Sequence, residues 1–325
     1  MRKLVSAMVA AGALTYAMTW PATAAAESSW PDHPVTVVVT FAPGGNNDLT
    51  ARILAPALGK ALGQSVVVEN RAGAGGIIGT QYVQRARLDG YTLLLGTANL
   101  SIAPFVYKDV PYDPLRDFVP IGGIQSVPLV LTASKASHIT SWAEFAKAAA
   151  SGKGVGVATP GSGTSNHLAL ERIKLQTKLN LTHVPYKGSG PAISDVMAGQ
   201  VESMVDQLNS SLPQIQAGKI QAIAQLGPTR SKMLPDVPTL KEQGVAGIEA
   251  TTWIGLFAAT GTPPDVVAKL DKALQTAMAD PEVQKRLDEM GVSRFDMTRD
   301  AFAAFVKKDL MNNKEIVEKA QIRSE

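Results

Sequence analysis

Val35-Thr36-Val37-Val38-Val39-Thr40-Phe41-Ala42-Pro43-Gly44-Gly45-Asn46-Asn47-Asp48 is the stretch from which the rest of the 325-residue chain can be read. The β-branched run at its start has the character of a buried strand. It breaks at a Pro-Gly-Gly turn, after which Asn46, Asn47 and Asp48 offer N-caps to a helix running to Leu62. A strand that feeds a glycine loop and then a helix exposes unpaired backbone N–H groups at the positive end of a helix dipole. Such a place suits an anion.

The same order of elements recurs twice. Asn70-Arg71-Ala72-Gly73-Ala74-Gly75-Gly76-Ile77-Ile78-Gly79 follows the strand-like Val66-Val67-Val68-Glu69. Its Gly73-x-Gly75-x-x-x-Gly79 spacing is one residue too long for a dinucleotide fingerprint, and no G-x-x-x-x-G-K-[ST] phosphate loop is present. Thr159-Pro160-Gly161-Ser162-Gly163-Thr164-Ser165-Asn166-His167 follows Val155-Gly156-Val157-Ala158. There Ser162, Thr164 and Ser165 add hydroxyl donors to the amides of a helix start, or simply cap it. No G-x-S-x-G nucleophile elbow accompanies these serines.

Strand patterns at 35–41, 66–69, 91–96, 119–124, 128–133, 154–159, 182–185, 201–205, 220–226 and 253–258 alternate with helical ones. The helices fall at 48–62, 77–87, 141–151, 166–178, 190–199, 212–217, 264–279, 281–290 and 299–320. This alternation predicts an α/β fold of two doubly wound domains with mostly parallel sheets. The chain crosses between domains at 120–128, around Gly122-Gly123, and again at 247–255. Residues 27–126 and 252–325 then form a discontinuous first domain, 127–251 a second, and the two crossings a hinge.

Composition bounds the chemistry. Met1-Arg2-Lys3, an apolar run from Leu4 and Ala24-Ala25-Ala26 predict a cleaved signal peptide over 1–26, and hence a periplasmic protein. Removing Arg2 and Lys3 from a chain of net charge +3 leaves it near neutral, which argues against a nucleic-acid partner. The absence of cysteine excludes disulfides, thiolate catalysis and thiolate metal sites. The four histidines lack zinc-ligand spacing, so no metal and no cofactor is expected. His167 and Glu171, four apart on one helix face, are expected to hydrogen-bond. Asp206 ends a strand at the carboxyl edge of the second sheet, where ligands of open α/β sheets bind. There it either accepts from a ligand's amine or hydroxyl or caps the next segment.

Taken together, the residues resemble the periplasmic solute-binding receptors of the tripartite tricarboxylate transporter family, the Bug receptors. The resemblance rests on Phe41-Ala42-Pro43-Gly44-Gly45 with Asp48, on Val66-Val67-Val68-Glu69-Asn70-Arg71 running into Gly73-Ala74-Gly75-Gly76, and on Pro111-Tyr112-Asp113-Pro114. It continues through His183-Val184-Pro185-Tyr186-Lys187-Gly188, Ser210-Ser211-Leu212-Pro213-Gln214-Ile215-Gln216-Ala217-Gly218, and Gly255-Leu256-Phe257-Ala258 with Gly261-Thr262-Pro263-Pro264. It implies two domains of the type II periplasmic-binding-protein kind around a small carboxylate, with no catalytic residue.

By the resemblance, the loop of Phe41, Ala42, Pro43, Gly44, Gly45, Asn46 and Asp48 and the loop of Ala74, Gly75 and Gly76 hold one ligand carboxylate. Asn99 matches a further ligand-side position, and Ser162, Thr164, Ser165 and Asp206 reach the ligand from the second domain. Thr40 stands where the family usually has proline, and Asn46-Asn47 replace smaller residues. The resulting expectation is a monomeric receptor for a small organic carboxylate (dicarboxylate, amino acid or aromatic acid) that serves membrane permease subunits. The alternatives are a ligand sensor for a signalling partner, or an enzyme using Asp206 or His167 as general base.

Overall fold

In chain order the elements are β1 (Val35–Val39), α1 (Asn46–Leu62), β2 (Val66–Asn70), α2 (Ile77–Gln84), β3 (Thr92–Thr97) and α3 (Ala98–Val106). Then come β4 (Phe118–Ser134), α4 (Trp142–Ala150), β5 (Val155–Thr159), α5 (Ser165–Thr177), β6 (Leu181–Pro185), α6 (Ser189–Met197), β7 (Ser203–Gln207), α7 (Leu208–Gln216) and β8 (Ile220–Gln225). The chain finishes with β9 (Thr251–Ala259), α8 (Pro264–Met278), α9 (Pro281–Glu289), β10 (Ser293–Arg294) and α10 (Arg299–Ala320). This is a computed structural model, and it describes residues 30–295, 297–320 and 322. The expected signal peptide at 1–26 lies outside the described residues.

The strands form one mixed sheet in the order β2-β1-β3-β9-β4-β7-β5-β6, with β8 and β10 also on β4. Its two wings are parallel: β1 lies between β2 and β3, and β5 between β6 and β7. The middle is antiparallel, because β9 pairs with both β3 and β4, and β4 pairs with β7 and β8. The sequence reading of mostly parallel sheets therefore holds for the wings and fails in the centre. Hydrophobic runs mark burial on two faces but carry no sign of strand direction.

The central strand β4 differs most from expectation. Two strands were expected, at 119–124 and 128–133, but one 17-residue strand spans both. Its first part, to Pro128, pairs with β9, and its second, from Leu129, pairs with β7 and β8. Gly122-Gly123 does not end the strand but bends it, since the register shifts on either side of the pair. A Cβ on Gly123 would meet the rings of Phe295 and Phe302 within 2.6–2.8 Å, and one on Gly255 of β9 would run into Phe302. The glycines thus admit the Phe302 ring onto the sheet.

Each half of the sheet has its own core. Val38, Leu94, Phe257 and Phe302 lie in one, joined by Leu168 of α5. Leu129, Leu131, Phe145, Val157 and Leu170 lie in the other. Burial of each large side chain contributes about 1.5–3 kcal/mol, so both halves are held by ordinary hydrophobic packing.

Candidate functional site

The parallel strands β1, β3, β5, β6 and β7 each lead, directly or through a short loop, into a helix, and all five helix starts face one cavity. Gly45, Asn46 and Asn47 bring the start of α1, Thr97 and Asn99 that of α3, and Thr164, Ser165 and Asn166 that of α5. Ser189 brings the start of α6 and Gln207 that of α7, while Phe41, Ala42, Pro160 and Thr252 complete the wall. The space between these walls, counted with its opening to solvent, is about 390 Å³. No lining residue carries a charge; the donors are amides, hydroxyls and backbone N–H groups. Five converging helix N-termini still make the space favourable to an anion.

The loops around it meet directly across the two halves. Ala42 N–H donates to the Lys187 carbonyl at 2.9 Å, and Tyr107 Oη donates to the Ser162 carbonyl at 2.9 Å. Asn46 N–H donates to Ser210 Oγ at 2.7 Å.

Proton counting fixes the orientation of the Asn46 side chain. The Thr50 hydroxyl gives its proton to the Asn46 carbonyl at 2.7 Å. Its oxygen must then accept, and Gln125 Nε2 donates to it at 2.8 Å. The same Nε2 lies 2.7 Å from Asn46 Oδ1, which also accepts from Asn209 Nδ2. Asn46 Oδ1 is therefore turned inward, and its Nδ2 is buried without a partner. Asn46 lines the cavity as a donor with no protein acceptor.

These features make a neutral-walled, donor-rich cavity between two halves of an α/β sheet, one that suits an anion. The profile of the tripartite tricarboxylate transporter family receptor matches residues 50–322. The chain belongs to that family. A periplasmic binding protein, BugD, is 38% identical with a TM-score of 0.87, over 91% of this chain and 100% of that one. The Rpa4515 protein of R. palustris, solved with adipate, is 32% identical with a TM-score of 0.85, over 90% and 98%. MatC of Rhodopseudomonas palustris, solved with malate, is 32% identical with a TM-score of 0.81, over 89% and 100%. The family is one of periplasmic solute-binding receptors, and no described helix is long and apolar enough to cross a membrane.

Of the residues that the sequence singled out, Phe41, Ala42, Gly45, Asn46, Asn99, Thr164 and Ser165 of this receptor line the cavity. Pro43, Gly44, Asp48, Ala74, Gly75, Gly76, Ser162 and Asp206 do not; they frame it. Asp48 does not cap α1, whose N-cap is Gly45. Instead its carboxylate accepts from Gly44 N–H, Arg52 Nε and Asn70 Nδ2, each at 3.0 Å, which ties the loop shut. Burial pushes the Asp48 carboxyl up, but these donors outweigh it and hold it below the usual range.

Gly75 sits at φ +60°, and its bare face looks at the second half: a Cβ there would run into the Ser162 carbonyl and lie 2.7 Å from Tyr107 Oη. Asn99 Nδ2 holds the Gly75 carbonyl at 2.6 Å. A Cβ on Gly76 would run into that Nδ2, and Ala74 heads the same short turn, Ala74–Gly76.

Asn47, Thr97, Pro160, Asn166, Ser189, Gln207 and Thr252 also line the cavity but were not among the candidate site residues. The turn from the carboxyl end of a parallel strand into a helix is the signal that marks Thr97, Asn166, Ser189 and Gln207, at β3, β5, β6 and β7.

The buried titratable groups lie beneath this wall. His167 and His183 stack at 4.1 Å, and burial first of all pushes both down to about 4, so both are neutral at pH 7. Gly163 N–H donates to His167 Nδ1 at 3.2 Å. The expected His167–Glu171 hydrogen bond is absent at 3.7 Å, because Lys174 takes Glu171 at 2.8 Å. Asp206 is fully buried on β7, with Ser189 and Ser211 hydroxyls donating to its two oxygens. Burial pushes its carboxyl up to about 6 against those hydrogen bonds.

Proposed function

We infer that this receptor captures a small dicarboxylate between a lobe of residues 27–126 and 252–325 and a lobe of residues 127–251, and closes around it. The observation that carries the reading is the convergence of five helix N-termini on a cavity without a charged side chain. Such a wall stabilises a carboxylate through neutral donors, each charge-assisted hydrogen bond contributing about 1.5–3 kcal/mol net. Three or four of them reach the roughly −8 kcal/mol of a micromolar complex.

The adipate and malate bound by two relatives favour a short acid. The protein is exported by the leader at 1–26, works in the periplasm as a monomer and delivers its ligand to a membrane permease. The family's role as solute-binding receptors supports capture rather than catalysis.

A thermal-shift screen of the leaderless protein against C4–C6 dicarboxylates, amino acids and aromatic acids tests the reading, because a ligand of the native state raises Tm. Dicarboxylates are expected to give the largest rise. A preference for amino acids or aromatic acids, or no response at all, would contradict it.

A further inference from the structure

Under the second-lobe wall, one proton is shared between two acceptors. Asn166 Nδ2 donates to the Val205 carbonyl at 3.2 Å, so its Oδ1 faces Gln207 and accepts from Nε2 at 3.1 Å. That arrangement turns Gln207 Oε1 the other way, to 3.0 Å from Ser189 Oγ. On the other side of Ser189, Asp206 Oδ1 lies 2.5 Å away, and Asp206 Oδ2 accepts from Ser211 Oγ at 2.8 Å. Gln207 Oε1 can only accept, and an ionised Asp206 can only accept. Ser189 has one hydroxyl proton for the two of them.

We propose that Asp206, acting through Ser189, is a proton-linked positioning residue that decides whether Gln207 Oε1 is free to accept a hydrogen bond from the ligand. When Asp206 is protonated, its O–H donates to Ser189 Oγ and the Ser189 O–H donates to Gln207 Oε1. Each group of this chain is then paired within the protein, and Gln207 offers the ligand no free acceptor. When Asp206 loses that proton to solvent, Ser189 rotates its O–H onto the carboxylate. Gln207 lines the cavity, its Oε1 is left without a donor, and a buried acceptor left unpaired is costly. A ligand hydroxyl or ammonium beside the carboxylate removes that cost. The inference rests on the dicarboxylate reading and narrows it: near neutral pH the receptor prefers hydroxy-substituted diacids to plain ones.

The surroundings allow the switch to work in an ordinary pH range. Val130 of β4 stands opposite Asp206, and β5 pairs with β7 through Val157 and Ala158. Hydrogen bonds come from Ser189 on α6, Ser211 on α7 and the Gln207 backbone. Among the described residues, no charged group of β4, β5, α5, α6 or α7 acts on it. Burial is the largest influence, and the carboxyl titrates near 6.

The wiring is read without ligand from the ¹³C-carboxyl titration of Asp206 in the intact protein. Gln207→Met removes the acceptor that rewards the protonated form, so the titration is expected to move down. Ser189→Ala removes the donor to the carboxylate and is expected to move it up. A Gln207→Met titration that stays put or rises overturns the proposal, since a merely structural glutamine would give that result.

The ligand arm compares L-malate and succinate by calorimetry at pH 5 and pH 8. In the wild type the preference for malate is expected to grow about tenfold over that range. In Asp206→Asn, whose amide mimics the protonated form, the preference is expected to show only the slope that the ligands' own ionisation imposes. Equal slopes in the two proteins overturn the proposal. If the wild type binds neither these acids nor any other C4–C6 diacid, the dicarboxylate reading fails, and the carboxyl titration still decides the wiring.

Discussion

Replacing Gly75 with alanine separates two costs that the structure assigns to different states. Gly75 has φ +60° and ψ +21°, and an L side chain there costs about 1–2 kcal/mol whether the lobes are apart or together. The second cost arises when the lobes meet as proposed above, because the new Cβ runs into the Ser162 carbonyl. Relieving that overlap breaks the Tyr107–Ser162 hydrogen bond of 2.9 Å, about 1 kcal/mol, and forces the loops apart. Relative to the open form, the closed form should lose about 1.4–2.8 kcal/mol through this overlap and the broken hydrogen bond, a 10- to 100-fold weaker affinity.

The assay is calorimetry on whichever acid gives the largest thermal shift, with urea unfolding of the unliganded variant as the control for the first cost. Tyr107→Phe, which removes the hydrogen bond without adding bulk, should weaken binding only a few-fold. Gly75→Ala with wild-type affinity would refute the idea that this glycine is bare so that the second lobe can dock on it.

Other expectations follow from the same contacts. In Asn46→Asp, Gln125 and Asn209 keep their acceptor, but the unpartnered donor becomes an oxygen. Carboxylate affinity should fall at least about tenfold, and calorimetry showing no loss would mean that Asn46 does not face the ligand. Asp206 titrates near 6 in the folded protein against 3.8 ordinarily, so the native state binds its proton more tightly. Stability contributed by that proton is present below about pH 4 and lost as pH rises through 6, up to about 3 kcal/mol. Asp206→Asn should abolish that slope in urea midpoints taken from pH 4 to pH 7, and an undiminished slope would assign it elsewhere. Phe302, fully buried against Trp253, Phe257 and the glycines of β4 and β9, should cost about 3–5 kcal/mol when cut to alanine. A loss below about 1 kcal/mol would show that the glycine seam does not depend on its ring.

Much of this arrangement was legible because it is written in local grammar. Val35 to Val39, the glycine loop and α1 carry their own signals, as does Thr164, which caps α5 by accepting from His167 N–H at 3.2 Å. What was missed depends on partners far along the chain. Helix α3 is apolar and buried along most of its length, so it shows no 3.6-residue stripe, and the Thr97 cap went unrecognised with it. The helical pattern was read from residue 212, but α7 starts at Leu208, which hid Gln207 as its N-cap. Gly75 and Gly76 read as bare backbone for a ligand, whereas the facing atoms belong to Ser162, Tyr107, Asn99 and Thr40. Strand direction in the middle of the sheet was likewise invisible, since β4 and β9 meet from positions more than a hundred residues apart.

The central claim is reversible, stoichiometric capture of a short dicarboxylate by a neutral wall of helix starts. Isothermal titration of the leaderless protein with C4–C6 diacids, followed by NMR of the released ligand, tests it most directly. The account predicts one site per chain with a micromolar or tighter Kd and an acid recovered unchanged. A diacid that is chemically altered, or the absence of saturable binding by every diacid in the series, would contradict it.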